Sequence, residues 1–281
     1  MIAILGVGKL GTGFAERCRS AGLELTVWNR TPGRAERLRG RGVRLAGRPQ
    51  DAVRDADLVL CALSTGDVAR RVLREAGDAL EGRAVVNLTS TSSGEARRIH
   101  DDVRDRGGAF LDAATVSMPD QISAGEGVLV LGCSPGDLTR WRGLLETFGE
   151  VHHAGGVGSA SMLEMATGMQ LFLQAHAYLS SCALANRHGV PLDTLARLTQ
   201  ANVLVATPMI DMYHGYTRTR TYTPAVMTVA HYRHTLRLVI DDLELAGLDT
   251  GLWRAVLEVA DRAERSCGAE ADWTSVYECL R

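Results

Sequence analysis

The sequence predicts an α/β unit wound on a doubly covered parallel sheet, followed by an all-helical unit. Three observations predict it. Up to residue 155, short apolar runs alternate with amphipathic ones. A glycine-rich turn follows the first run directly. Beyond residue 158, strand signals nearly vanish and helical periodicity takes over.

The strands are read in order as "IAIL" (2–5), "ELTVW" (24–28), "VRL" (43–45), "DLVLCAL" (57–63), "AVVNLT" (84–89) and "AFLDA" (109–113). Helical patterns fill most gaps, at Lys9–Ala21, Gly33–Arg39, Val68–Ala76 and Ser93–Arg106. Runs apolar on both faces, separated by helices, belong to a parallel sheet covered on each side. "GVLVLG" (127–132) and "EVHH" (150–153), flanking a helix over Pro135–Thr147, extend that sheet. Ser92 and Glu95 have the spacing of a capping box at the start of the Ser93 helix. After "AGGVG" (154–158) a long helix begins near Ser159, with later breaks at 188–193, Pro208, 214–224 and 246–251. The expected domains are 1–158 and 159–281.

Composition narrows the function. A chain of 281 residues, 46% apolar and 23% charged with a net charge of −2, suits a globular protein with a substantial core. No Lys/Arg run marks a nucleic-acid surface. Lys9 is the only lysine. The six cysteines are scattered without a CxxC pair, as in reduced cytoplasmic proteins. The first strand begins at residue 2, which leaves no room for a signal peptide. The stretch 162–186 has the length of a membrane span but carries Glu164, Gln170, Gln174 and His176, so no membrane partner is expected. His231 and His234 lie one helical turn apart without an acid or cysteine to complete a set, so no metal is expected.

The first loop contains Gly6, Val7, Gly8, Lys9, Leu10 and Gly11, with the glycines in GxGxxG spacing between a strand and a helix. Gly6 permits the tight turn, Gly8 the approach of a pyrophosphate, and Gly11 the helix–strand contact. The helix N-terminus then offers unpaired amides to phosphate. At the end of the second strand, where NAD-binding chains place a carboxylate for the ribose hydroxyl, stand Asn29, Arg30 and Thr31, with Arg34 one turn on. Guanidinium pairs with phosphate, so NADP(H) is expected in preference to NAD(H). The alternative is that Arg30 is a solvated loop residue.

"GVGKLG", "VWNRTPGRAERL", "VVNLTSTSSGEAR" and "FLDAATVSMPDQI", in this order and spacing, resemble NADPH-dependent imine reductases of the beta-hydroxyacid dehydrogenase and 6-phosphogluconate dehydrogenase-like superfamily. "MTVAHYRHTLRLVIDDLELAG" is similar to a late helix of that fold. The resemblance implies a Rossmann domain, a long interdomain helix, and a helical domain swapped with the partner in a homodimer. It also implies that Leu63, Ser64 and Thr65 touch the adenosine-side ribose and phosphates, and that Asn87, Leu88 and Thr89 approach the nicotinamide. Ser117 and Met118 fall in the segment of the substrate-side loop, ahead of a matching Pro119; simple space-filling is the alternative. Phe172 falls near a tyrosine of some imine reductases.

Hydroxyacid enzymes of the superfamily carry a catalytic lysine early on the interdomain helix. Here the aligned residue is Glu164, or Leu163 if the alignment slips by one; no lysine is available. Reduction of a ketone builds an alkoxide and favours a cationic acid, whereas reduction of an iminium neutralises a cation and tolerates a carboxyl group. Glu164 stands in an apolar helix, where burial raises its pKa toward that of a proton donor. A first-turn residue favouring the helix dipole is the competing role. Tyr178 shares its helix face. Tyr213 and Tyr222 are candidates for a substrate pocket or for packing, and "HGYTRTRTYTP" is read as a mobile loop near the active-site mouth. The expected function is NADPH-dependent reduction of a C=N bond, imine to amine, with proton supply assisted by Glu164. Two alternatives stay open: a lysine-less relative acting on a carbonyl or hydroxyacid, and a non-catalytic NADP-binding protein.

Overall fold

The computed structural model describes residues 1–40 and 42–281. Its first unit, Met1–Gln170, is wound on one sheet. The strands are β1 (Ile2–Leu5), β2 (Leu25–Trp28), β3 (Val43–Leu45), β4 (Leu58–Cys61), β5 (Ala84–Asn87), β6 (Ala109–Thr115), β7 (Gly127–Gly132) and β8 (Gly149–Gly155). They lie side by side in the order β3-β2-β1-β4-β5-β6-β7-β8. Every neighbouring pair is parallel except β6 and β7.

Alternation sends one set of side chains to each face. Ile2 and Ile4 meet Phe14, Leu58 and Leu60 on one side. Ala3 and Leu5 meet Val59, Cys61 and Val72 on the other. Both faces are covered, so β1, β2, β4 and β5 are buried at every position. That is why these runs read as continuously apolar.

The covering helices are α1 (Lys9–Ser20), α2 (Pro32–Glu36), α3 (Pro49–Val53), α4 (Gly66–Ala76), α5 (Ser93–Arg104), α6 (Pro119–Ala124) and α7 (Pro135–Leu145). α3 and α6 were absent from the sequence reading, because five or six residues are too few to display a 3.6-residue period. Each opens on proline, whose fixed φ suits a first helical position. The expected capping box is formed: Glu95 N–H donates to Ser92 Oγ, and Ser92 N–H to Glu95 Oε2. Chain order reverses direction at β1, which lies between β2 and β4, and the crevice at the carboxyl ends of β1 and β4 is where such sheets bind ligands.

A 29-residue helix, α8 (Ser159–Arg187), begins where expected. Its start packs with the first unit, which ends at Gln170. The second unit, Leu171–Arg281, holds the rest of α8 with α9 (Leu192–Thr219), α10 (Val229–Leu245) and α11 (Gly251–Cys267). α10 and α11 pack together through Leu236, Ile240, Leu243, Ala260 and Ala263, all buried.

Two expectations are corrected here. Pro208 does not end a helix: α9 runs through it. Proline removes a single backbone donor, and the residue that loses it, Leu204, lies in an exposed stretch, 201–208. The segment 214–224 is not one loop, since α9 continues to Thr219. The remainder is fastened by Arg220 donating both nitrogens to Glu278, by Tyr222 Oη donating to Glu278 at 2.8 Å, and by Tyr216 Oη donating to the Pro224 carbonyl. Among the described residues, no helix is long and apolar enough to cross a membrane.

Candidate active site

A cleft of about 570 Å³ opens at the carboxyl ends of β1 and β4. Its floor is the turn from β1 into α1. Gly6 adopts φ +100°, and a Cβ there would lie 2.3 Å from the Ala62 carbonyl oxygen. At Gly11 a Cβ would lie 2.0 Å from the Gly6 carbonyl oxygen, so the helix meets the turn only without a side chain. At Gly8 a Cβ would meet nothing within 4 Å. The turn is therefore closed underneath and open toward the cleft, as the three glycine roles require.

α1 also presents a positive end that no side chain of its own caps. Its N-cap is Gly8, with no side-chain cap and no acid in the first turn. α4, α5 and α7 instead carry Asp67, Glu95 and Asp137 there. The free amides and dipole of α1 thus face the cleft without an internal anion, a ready place for phosphate.

One wall is the joint between β2 and α2. Asn29 Oδ1 accepts from Val7 N–H at 3.1 Å, and Asn29 Nδ2 donates to the Thr31 carbonyl at 2.9 Å. Asn29 thereby ties the glycine turn to the wall that carries Arg30, Thr31 and Arg34. Leu63 and Ser64 close the opposite side, with Leu88 and Ser90 at one end. α4 adds Val68, Arg71, Val72 and Glu75. Arg39, Arg44 and Arg48 pair with carboxylates, whereas Arg30, Arg34 and Arg71 have no such partner among the described residues. Three free guanidinium groups on one cleft suit a ligand with several phosphates.

Four predicted contacts do not line the cleft. Val7 is buried in the core beneath the turn. Thr65 caps α4, its hydroxyl accepting from Val68 N–H at 3.3 Å. Asn87 and Thr89 are buried, and Thr89 Oγ1 accepts from Leu63 N–H at 3.0 Å. Val7, Asn87 and Thr89 thus support the walls from behind, while Thr65 is exposed at the start of α4. Ser117 likewise turns inward, accepting from Val128 N–H at 2.7 Å, while Met118 is exposed at the start of α6.

Glu164 is half-buried on α8. Ser90 Oγ donates to Glu164 Oε1 at 2.5 Å. Burial raises the pKa of Glu164; the Ser90 hydrogen bond opposes that rise and the Asp112 carboxylate adds to it. Ser90 belongs to both arrangements, lining the cleft and holding the acid. The sequence reading missed Ser90, although it stands beside the Asn87-Leu88-Thr89 segment. It also missed Arg71, whose signal was the spacing 68, 71, 72 and 75 on one helix face.

The remaining candidates lie in the second unit. Tyr178 lines a groove between α8 and α9 with Leu171, Gln174 and Thr199. The neighbouring Cys182 raises its pKa. Phe172 is 73% exposed. Tyr213 packs edge-on against Trp273 at 5.4 Å. Tyr222 is held by Glu278; burial first, and that carboxylate second, push its pKa up to about 12.

Comparison with known proteins agrees with this geometry. Residues 1–158 match the family model for the NAD binding domain of 6-phosphogluconate dehydrogenase, and residues 156–281 the C-terminal domain described as NADPH-dependent reductive aminase-like. An NADPH-dependent reductive aminase of Aspergillus oryzae is 31% identical over 129 residues, spanning 46% of this chain and 44% of that protein. Glyoxylate/succinic semialdehyde reductase 2 of Arabidopsis thaliana is 21% identical across 100% of this chain and 79% of its own length. A Streptomyces aurantiacus imine reductase superposes with a TM-score of 0.89 at 27% identity, covering 100% of this chain and 99% of that one. The imine reductase from Myxococcus stipitatus solved with NADP+ superposes with a TM-score of 0.94 over 100% of both chains, and its 24% identity speaks for the fold.

Proposed function

Because the chain belongs to the family of the 6-phosphogluconate dehydrogenase NAD-binding domain, we propose that it is an NADPH-dependent reductase of C=N bonds. The observation that carries this reading is Ser90, which lines the nucleotide cleft and also holds a carboxyl group whose pKa burial has raised. The reductive aminase-like match over residues 156–281 and the imine reductase at 27% identity support the same reading.

The chemistry of the cleft lining supports NADP(H). The α1 amides and the open face of Gly8 would hold the pyrophosphate. Arg30 and Arg34 would take the 2′-phosphate, and Arg71 with Val68 and Val72 would flank the adenosine from α4. When bound, the reduced nicotinamide supplies hydride to the imine carbon. Glu164, whose pKa burial raises, gives its proton to the imine nitrogen, and the carboxylate left behind pairs with the resulting cation. Once the carbon is reduced, the nitrogen is a neutral amine and Glu164 regains a proton from water. Ser90 orients the carboxyl group throughout. Tyr178 is given no step, because it lines the groove between α8 and α9 and not the cleft.

The decisive assay follows NADPH oxidation with a five- or six-membered cyclic imine beside a small ketoacid. Turnover of the imine is expected. Turnover of the ketoacid alone would move the protein to the carbonyl-reducing branch, and binding without turnover to a non-catalytic role.

The second unit also calls for a partner. α9 buries none of its residues, and Leu198, Leu204, Val205 and Ile210 are 57–77% exposed along it. A helix this apolar and uncovered belongs at an interface, and a homodimer with exchanged helical units is proposed. Light scattering should give twice the 30.3 kDa of one chain. A monomer at micromolar concentration would remove this part of the reading.

A further inference from the structure

The buried carboxylate of Asp112 takes no part in the chemistry above, and its surroundings are unusually complete. Asp112 lies on β6 with 0% exposure. It accepts hydrogen bonds from Gly158 N–H and Ser161 N–H, each at 3.0 Å, and from Ser161 Oγ at 2.6 Å. A buried charge persists only with such partners. These donors are the opening amides of α8, which has no acid in its own first turn. Asp112 therefore caps α8 from another element, at the positive end of the helix dipole.

From Ser161 the connections return to the cleft. Ser161 Oγ and Thr91 Oγ1 are 2.9 Å apart, and both residues are buried. Thr91 follows Ser90, which donates to Glu164. Glu164 stands about one helical turn beyond Ser161. Two covalent links and two hydrogen bonds thus close a ring through Ser161, Glu164, Ser90 and Thr91, with Asp112 anchoring it to the sheet.

We propose that Asp112 is a positioning residue, whose carboxylate fixes the first turn of α8 and, through Ser161 and Thr91, the place of the Glu164 carboxyl group beside Ser90. The inference rests on the reading of Glu164 as proton donor but is tested separately from it. Two groups from neighbouring elements bear on Glu164: the neutral hydroxyl of Ser90, from the loop after β5, and the charged Asp112, from β6. Asp112 thus acts on the acid by geometry and by its field.

The test compares Asp112→Asn, Ser161→Ala and Glu164→Gln in the full-length protein. Asparagine keeps the size and one acceptor but removes the charge. In D112N, kcat on the imine should fall by about ten- to a hundred-fold, the upper figure being the scale of a reacting group misplaced by about 1 Å, while the NADPH dissociation constant stays unchanged because Asp112 does not line the cleft. Carbon NMR of the Glu164 carboxyl group, assigned by its loss in E164Q, should show titration at lower pH once the neighbouring negative charge is gone. S161A, which breaks the link to Thr91, should also lower kcat with NADPH binding intact; if D112N does not fold, this variant decides. Wild-type kcat and unchanged Glu164 titration would overturn the proposal, as would a loss of NADPH binding equal to the loss in kcat. If E164Q turns over the imine as fast as wild type, the donor reading fails, and the titration alone judges Asp112.

Discussion

Glu164→Gln is expected to lower kcat on a cyclic imine by about 10²-fold, the lower end of what a positioned acid contributes, without weakening NADPH binding. Glutamine fills the same space and still accepts from Ser90, so the loss isolates the proton. The pH profile gives the sign. Burial raises the pKa of Glu164, so the neutral donor persists above the ordinary glutamate range of about 4.3. Wild-type kcat should therefore decline as pH rises through the raised pKa, and E164Q should lack that limb. Steady-state rates across pH with saturating NADPH make the comparison. Retention of both rate and alkaline limb in E164Q would assign proton supply to another group.

Arg30→Asp is expected to invert the nucleotide preference. The substitution removes a free cation at the cleft wall and places there the carboxylate that NAD-binding chains use to hold the ribose hydroxyls and repel a 2′-phosphate. Affinity for NADPH should fall by about ten-fold or more, the scale of one charge-assisted hydrogen bond. Affinity for NADH should hold or improve. Because Arg30 is exposed, the discrimination between the two nucleotides in the wild-type protein should shrink as salt rises. Fluorescence titration of both nucleotides at low and high ionic strength tests this. Equal wild-type affinities at low salt would reduce Arg30 to a solvated loop residue.

Most of the cleft was legible in the chain because it is built from consecutive residues at the ends of predicted strands. Gly6, Gly8, Gly11, Asn29 and Arg30 each follow a short apolar run, and position after a strand is a local property. Arg71 was harder to see, since α4 reaches the cleft only through the packing of that helix on the sheet. The inward turn of Asn87 and Thr89, and the use of Thr65 as a helix cap, were not legible either. A short polar residue after a strand can face a ligand or satisfy a neighbouring backbone group, and the adjacent strand's carboxyl end decides which. Pro208 misled for a related reason: proline weakens a helix locally, but α9 continues through it.

By itself the sequence determined the two-part architecture, the glycine turn and the cationic joint after β2. Each of these follows from residue type and short-range period, which act along the chain. Only the tertiary structure decided that Ser90 meets Glu164 across 74 residues, and that Asp112 caps a helix beginning 47 residues later. Such pairings depend on how β5, β6 and α8 come together. Hydrogen bonds and burial, which set the state of an acid, are properties of that assembled neighbourhood rather than of any stretch of sequence.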